Sequence, residues 1–186
     1  MKLKIFIILG FLILCVACSQ VETSQQDQHT NNIDLKTQTL NWGINQITTS
    51  ECSPQYQNQL GKPATIEIGF DEENQKYELR WWKLALKSGC TDENNPECYE
   101  TTFPESRELT EDTVALLEYA LNEVPEFDEK YTCPNAPCIK ESMHFDSLSN
   151  EPAFEGFLFA EGCQMGGVQY TKKVQDVITI IKALVP

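Results

Sequence analysis

The sequence predicts an α+β domain in which two helices pack on one face of a four-stranded, mostly antiparallel sheet. Two observations lead to this prediction. Two segments with the apolar spacing of a helix each end at a proline, and alternating apolar residues precede both of them. The order strand, strand, helix also occurs twice. Six cysteines in the same region indicate that disulfides staple the fold.

The first seventeen residues have the composition of an export signal. Lys2 and Lys4 supply positive charge, and residues 5–17 are almost entirely apolar. A helix of this length spans roughly 20 Å, whereas the hydrocarbon core of a bilayer is about 30 Å thick. We therefore predict that residues 1–17 are a cleaved signal peptide and not a membrane span.

Cys18 follows this apolar segment directly, after the small residue Ala17. The segment resembles the signal peptides of bacterial lipoproteins, with Cys15 at a position where leucine is usual. The resemblance implies that Cys18 is lipidated, with palmitate among the usual chains, and that it becomes the new N-terminus. It further implies an extracytoplasmic location in the cell envelope. Because Ser19 follows, and not aspartate, the outer membrane is implied for a Gram-negative host.

Residues 18–39 are rich in glutamine, threonine, asparagine and serine, and they contain few large apolar side chains. Such a stretch buries too little apolar surface to offset the entropy lost on ordering. We predict a lipidated N-terminus and flexible tether over residues 18–39, followed by a single folded domain over residues 40–186.

The charge balance excludes one class of partner. Loss of Lys2 and Lys4 with the signal leaves 12 cationic against 28 acidic side chains, a net charge of about −16. A chain this acidic is repelled by nucleic acid. We therefore expect no nucleic-acid partner. The expected partners are the membrane, through the lipid anchor, and an envelope or extracellular protein.

The folded region contains a similar pattern twice, in halves that span residues 60–125 and 133–186. Each half has alternating apolar residues ending in Phe-Asp, then a polar turn, a second strand, a Gly-Cys pair and a helix. We interpret this as a tandem ββα repeat. The matching positions are Phe70-Asp71 with Phe145-Asp146, and Gly89-Cys90 with Gly162-Cys163.

The two helices are predicted over residues 110–124 and 171–185. Thr110 is a favourable N-cap, and the acidic Glu111 and Asp112 suit the positive end of the helix dipole. Each segment carries an apolar stripe with spacing i, i+1, i+4 and i+8, which lies on one helix face. The stripes are Leu116, Leu117, Ala120 and Val124 in the first helix, and Val177, Ile178, Ile181 and Val185 in the second.

The strands are predicted from alternation, as in residues 66–70. In the partner strand, residues 77–87, the apolar phase switches between Trp81 and Trp82. The switch predicts a β-bulge, or a strand whose two halves are buried on different sides. We favour both tryptophans in the core, with an exposed tryptophan on a ligand surface as the alternative.

Six cysteines remain after Cys15 and Cys18 are set aside. An even number in an exported chain favours structural disulfides over metal or redox chemistry. Six cysteines permit fifteen complete pairings, and the sequence alone does not decide among them. Counting residues across the two predicted hairpins favours one set, and closure of local loops favours another. One is Cys52–Cys90, Cys98–Cys133 and Cys138–Cys163, and the other is Cys90–Cys98, Cys133–Cys138 and Cys52–Cys163.

His144 is the single histidine in the predicted folded region, on a strand between two apolar residues. A role as general base requires an orienting carboxylate, for which Asp146 has the right parity, and a nucleophile. No serine stands in a G-x-S-x-G context. The cluster of oxygen donors at residues 92–97 does not follow the EF-hand spacing. We therefore predict no catalytic residue, no metal and no cofactor.

The sequence favours a non-enzymatic function. We expect a membrane-anchored, extracytoplasmic lipoprotein that acts as a binding or interaction module of unknown specificity. The alternative is a small extracytoplasmic hydrolase that uses carboxylates or His144. A third hypothesis is an enzyme inhibitor that inserts an acidic loop such as residues 91–97 into a basic target.

Overall fold

The computed structural model shows an α+β fold and describes residues 31–46, 57–92, 95–135, 138–147 and 156–186. The α+β class is as predicted from the sequence. The described elements, in chain order, are β1 (Gln38–Gln46), β2 (Pro63–Asp71), β3 (Lys76–Leu86), β4 (Tyr99–Thr101), β5 (Glu105–Leu109), α1 (Glu111–Asn122), β6 (Tyr131–Thr132), β7 (Ile139–Ser147), β8 (Phe157–Ala160), β9 (Gln164–Met165) and α2 (Gly167–Ala183).

The main sheet has seven strands, not the predicted four. Their order is β4-β3-β2-β1-β7-β8, and β5 pairs with β3 along the same edge as β4. All the pairings between these strands are antiparallel. A separate two-stranded sheet joins β6 to β9. The prediction missed β1, which lies between β2 and β7, and the edge strands β4 and β5.

The core lies between one face of the sheet and the two helices, as predicted. Alternate residues of the strands face the helices, and cross-strand pairs arrange them in rows. One row is Trp81, Ile66, Trp42, Met143 and Phe157, and the next is Leu79, Ile68, Leu40 and Phe145. All nine side chains are buried in a single cluster with residues of both helices.

Helix α1 agrees closely with its prediction, because Thr110 is the N-cap and its side chain accepts a hydrogen bond from the Thr113 amide. The predicted stripe is wrong at Leu116, which is 70% exposed. The buried positions of α1 are Val114, Leu117 and Leu121.

Helix α2 begins four residues before the predicted start at Thr171. The Thr171 hydroxyl donates to the carbonyls of Met165 and Gly167. It therefore lies inside the first turns and does not cap the helix. Gly166 is the N-cap, with a left-handed φ of 62°.

The two hairpins, β2–β3 and β7–β8, extend from opposite sides of β1. Strands β2 and β7 both run antiparallel to β1, so they point in the same direction. Their buried residues belong to the same core. The second strand lies on opposite sides in the two hairpins, since β3 and β8 are the outer neighbours of β2 and β7. A rotation that superposes one hairpin on the other would therefore turn its buried face away from the core. The strand arrangement therefore does not support the tandem repeat predicted for residues 60–125 and 133–186.

A bulge occurs near the predicted phase switch, on the strand that pairs with the two tryptophans. Pro63 pairs with Lys83 and Thr65 with Trp82, so Ala64 is the extra residue. Beyond the bulge, Leu84 belongs to a second, smaller core cluster with Ala64 and Tyr99.

The folded part extends upstream of the boundary expected at residue 40. Ile33 and Leu35, assigned by composition to the tether, are 4% and 0% exposed, and β1 begins at Gln38. The predicted signal peptide at residues 1–17, lipidation at Cys18 and the tether up to residue 30 lie outside the described residues. Within the described ranges, no helix is long and apolar enough to cross a membrane.

Disulfides are present as predicted, and the Cys90–Cys98 bond of the second predicted pairing is confirmed. Cys90 is bonded to Cys98, and Cys133 is bonded to Cys163. Cys138 is also disulfide-bonded. The Cys133–Cys163 bond occurs in neither predicted pairing, so both are wrong as complete sets. The pairing of β6 with β9 places these two cysteines next to each other.

Candidate interaction surface

The face of the main sheet opposite the helices carries mostly polar side chains. We call it the open face. Its side chains alternate with those of the core. Its polar and aromatic side chains, each of them half-buried or exposed, are Thr39, Asn41, Thr65, Glu67, Glu78, Arg80, Trp82, Ser106, Glu108, Lys140, Ser142, His144 and Asp146. Leu158, which is 40% exposed, lies opposite Ser142 on the same face, and Leu84 of the second core cluster is buried at one end of it.

Arg80 lies on the open face with carboxylates on two sides. Its guanidinium is 2.6 Å from a Glu78 oxygen and 3.3 Å from a Glu67 oxygen. The hydrogen bond to Glu78 is the main cause that raises the pKa of Arg80. Because the side chain is half exposed, these pairs add little stability, about 1 kcal/mol or less. Their main effect is to position the guanidinium between the two carboxylates.

A groove of about 380 Å³ runs from Arg80 toward the β2–β3 turn. It is lined by one guanidinium and five carboxylates, those of Glu67, Asp71, Glu72, Glu73 and Glu78. The Asp71 carboxylate accepts hydrogen bonds from the Asn74 side chain at 2.8 Å and from its amide at 3.1 Å. These bonds lower the pKa of Asp71. The groove is therefore acidic at neutral pH and suits a cationic ligand.

His144 is exposed on the open face and lies opposite Asn41 in the neighbouring strand. The predicted carboxylate, Asp146, accepts a hydrogen bond from Asn41 Nδ2 at 2.9 Å. Among the described residues, no hydrogen bond or ion pair orients the His144 ring. The general-base hypothesis therefore gains no support from the geometry of this site.

The two tryptophans divide between the two faces. Trp81 is 4% exposed in the core, whereas Trp82 is half-buried on the open face opposite Thr65. The favoured prediction that both are core residues is wrong for Trp82. Because β3 has no bulge of its own, adjacent side chains keep opposite directions. Trp82 thus gives the open face an aromatic surface beside its charged groups.

A second cavity, of about 370 Å³, lies at the end of the sheet near Cys138 and is lined in part by Ile44, Gln59 and Glu161. Glu141 organises its polar side. One carboxylate oxygen accepts from Trp42 Nε1 at 3.1 Å, and the other accepts from Lys182 Nζ at 2.8 Å. Sequence analysis missed this group because β1 itself was missed. The alternation of Leu40, Trp42 and Ile44 is the pattern that predicts the strand.

The acidic loop between Cys90 and Cys98 is closed by the disulfide that joins them. Residues 93–94 of this loop lie outside the described ranges. The described parts of the chain contain no group of three or more histidine, cysteine, aspartate or glutamate residues placed to hold a metal ion.

Comparisons with known proteins give no relatives. No family model, curated protein or solved structure matches the chain. Function must therefore be inferred from the surfaces described above.

Proposed function

We propose that this protein is a membrane-anchored, extracytoplasmic lipoprotein that acts as a binding module, with the open face as its docking surface for a protein partner. One observation carries the binding proposal. One face of a seven-stranded sheet forms the core, while the opposite face presents ordered polar rows with Trp82 and Arg80 among them.

The proposed location is supported by sequence and by cysteine chemistry. Cys18 follows a short apolar segment, as in bacterial lipoproteins. Cys90, Cys98, Cys133 and Cys163 form two disulfides, which persist in oxidising compartments.

The charge of the open face favours one kind of protein partner. Carboxylates outnumber cations on the walls of its groove by five to one. Electrostatic complementarity raises association rates for partners of opposite charge. We therefore propose a partner with a basic surface, and we expect its binding to weaken as salt concentration rises.

The anchor is tested with a Cys18→Ser variant of the full chain, expressed in a bacterial host. The wild-type protein is expected in the membrane fraction, with a mature N-terminus at Cys18 that carries acyl chains by mass spectrometry. The variant is expected to lose the acyl chains. An unmodified, unprocessed wild-type N-terminus would contradict the proposal.

The docking surface is tested by placing a photocrosslinking amino acid in the membrane-anchored protein. His144 and Thr65 are suitable positions on the open face, and Ala115 and Gln175 are matched exposed positions on the helices. Illumination should give one discrete adduct from the open-face positions and none from the helices. Equal adducts from both faces, or adducts from the helices alone, would rule out the open face as the docking surface.

A further inference from the structure

The segment that precedes β1 lies along helix α1 in the manner of a bound peptide. We call residues 31–35 the strap. Its side chains alternate, because Asn31, Ile33 and Leu35 are buried whereas Asn32 and Asp34 are exposed. Ile33 and Leu35 are 4% and 0% exposed and belong to the main core. Period-two burial is the signature of an extended chain with one face against a surface.

The strap runs antiparallel to α1 and is held by polar groups at and just beyond the C-terminal half of that helix. Asn122 makes two bonds to one strap residue: the Ile33 amide donates to Oδ1 at 2.9 Å, and Nδ2 donates to the Ile33 carbonyl at 3.2 Å. The Leu35 amide donates to Glu118 Oε1 at 2.7 Å. The buried Asn31 side chain donates to the Val124 carbonyl at 2.8 Å.

The contacts of Asn122 and Glu118 recognise an extended backbone, whereas the side chains of Asn31, Ile33 and Leu35 set a sequence preference. The Asn122 side-chain amide supplies the donor and the acceptor that a neighbouring strand would offer to Ile33. The Glu118 carboxylate accepts from the backbone amide of Leu35, the next buried residue. The side chains of Ile33 and Leu35, two residues apart, are both buried. Backbone hydrogen bonds with alternate side-chain sites are the recognition mode of proteins that bind extended peptides.

The strap is joined to β1 by a tight turn, in which the Asp34 carbonyl accepts from the amides of Thr37 and Gln38. Release of the strap therefore need not disturb the pairing of β1 with β2 and β7. A freed strap would lengthen the upstream chain by roughly 17 Å, at about 3.4 Å per extended residue.

We propose that the groove along α1 is a peptide-binding site that the strap occupies in cis. Its ligand in trans is an extended peptide segment with asparagine followed by apolar residues at the second and fourth positions after it, the spacing of Asn31, Ile33 and Leu35. Such a segment of a partner protein displaces the strap. This inference is independent of the open face, which lies on the other side of the sheet.

The experiment uses the full chain with Ile33→Asp and Leu35→Asp together, which removes the apolar side chains of the strap. The probe is a fluorescein-labelled synthetic peptide of residues 30–37. The fluorescence anisotropy of the peptide should rise to saturation as the strap variant is added. The same rise should need at least ten times more wild-type protein, because the strap fills the groove of that protein. A peptide with asparagine at positions 33 and 35 is the matched control and should not bind.

Asn122→Ala in the strap variant should weaken peptide binding by about tenfold, because two hydrogen bonds to the ligand backbone are lost. Equal binding to wild-type and strap variant, or no binding to a variant with native near-ultraviolet circular dichroism, would overturn the proposal.

If the strap variant does not fold, hydrogen exchange of the wild-type protein decides. The Ile33 and Leu35 amides should exchange at least tenfold faster than the slowest amides of β1, which indicates local release of the strap. If the Ile33 and Leu35 amides exchange no faster than the slowest β1 amides, the strap is a permanent part of the core and the proposal fails.

Discussion

The indole of Trp42 donates to the Glu141 carboxylate at 3.1 Å from the adjacent strand, although the two residues are 99 positions apart in sequence. Trp42 is 1% exposed, so its buried N–H depends on this acceptor for a hydrogen bond. Lys182 completes the group from helix α2, with its ammonium 2.8 Å from Glu141 and 5.1 Å from the Trp42 ring centroid. The group joins both layers of the fold.

Glu141→Ala should lower the free energy of unfolding by about 2–3 kcal/mol, because it leaves the buried Trp42 N–H without its acceptor. Glu141→Gln keeps a neutral acceptor and should cost less. Urea denaturation at pH 7 measures both. The matched control is Glu161→Ala, an exposed carboxylate on the same cavity. If both alanine variants lose the same stability, the bond to Trp42 does not carry the effect.

Tyr170 should make the protein sensitive to alkali. Its ring is 1% exposed, its hydroxyl accepts from the Leu158 amide at 3.0 Å, and burial raises the pKa of Tyr170. Because the pKa of Tyr170 is higher in the folded state than the value of about 10 in the unfolded chain, the unfolded chain loses this proton at lower pH. The stabilisation is present below pH 10 and is lost as pH rises through the folded-state pKa.

Tyr170→Phe should flatten the fall in melting temperature above pH 10, while costing about 1 kcal/mol at neutral pH through the unpaired Leu158 amide. Burial also raises the pKa of Tyr77, with further contributions from Glu118, Asp34 and Glu111. Because Tyr77 is more exposed, Tyr77→Phe should alter the alkaline profile less. An unchanged profile in Tyr170→Phe would refute the assignment.

The two described disulfides should differ in their contribution to stability. The Cys133–Cys163 bond spans 30 residues, whereas the Cys90–Cys98 bond spans 8. Loop-closure entropy in the unfolded chain predicts losses of about 3.6 kcal/mol for the Cys133–Cys163 pair and about 2.5 kcal/mol for the Cys90–Cys98 pair when each is replaced by alanine. Chemical denaturation of the two double variants gives the comparison. A larger loss from the shorter loop would show that native packing, and not loop closure, dominates.

Gly156 should tolerate no side chain. Its φ is 108°, and a Cβ there would overlap the Met143 carbonyl oxygen on β7. Gly156→Ala should therefore displace β8 from β7 and prevent folding, or lower the melting temperature by more than 10 °C. Gly89→Ala is the control, since its φ is 84° but no atom lies within 4 Å of the added Cβ. Similar losses in both variants would mean that φ strain alone matters.

The helices were predictable because their determinants are local. Thr110 caps α1 and apolar spacing marks its buried side, although the stripe alone did not exclude the exposed Leu116. Whether an apolar position at the edge of a stripe is covered depends on what packs beside the helix. The start of α2 was misplaced because a threonine caps a helix in one context and bonds within it in another.

The sheet was less predictable because its determinants are distant in sequence. Strand β1 carries alternating Leu40, Trp42 and Ile44, but it follows a polar stretch that suggested a tether. Strand β5 has one buried residue, Leu109, so no apolar pattern marks it. The Cys133–Cys163 bond depends on the two-residue pairing of β6 with β9, which counting residues across the two predicted hairpins does not reveal.

The position of β1 has a consequence for how the molecule matures. The strand is made early, yet one of its two neighbours is β7, and Asn41 bonds to Asp146 across 105 residues. Because the chain is made from its amino end, the centre of the sheet cannot close until β7, in the last third of the chain, has been made. Until then β1 lacks one of its two neighbours, and its unpaired edge is open to aggregation.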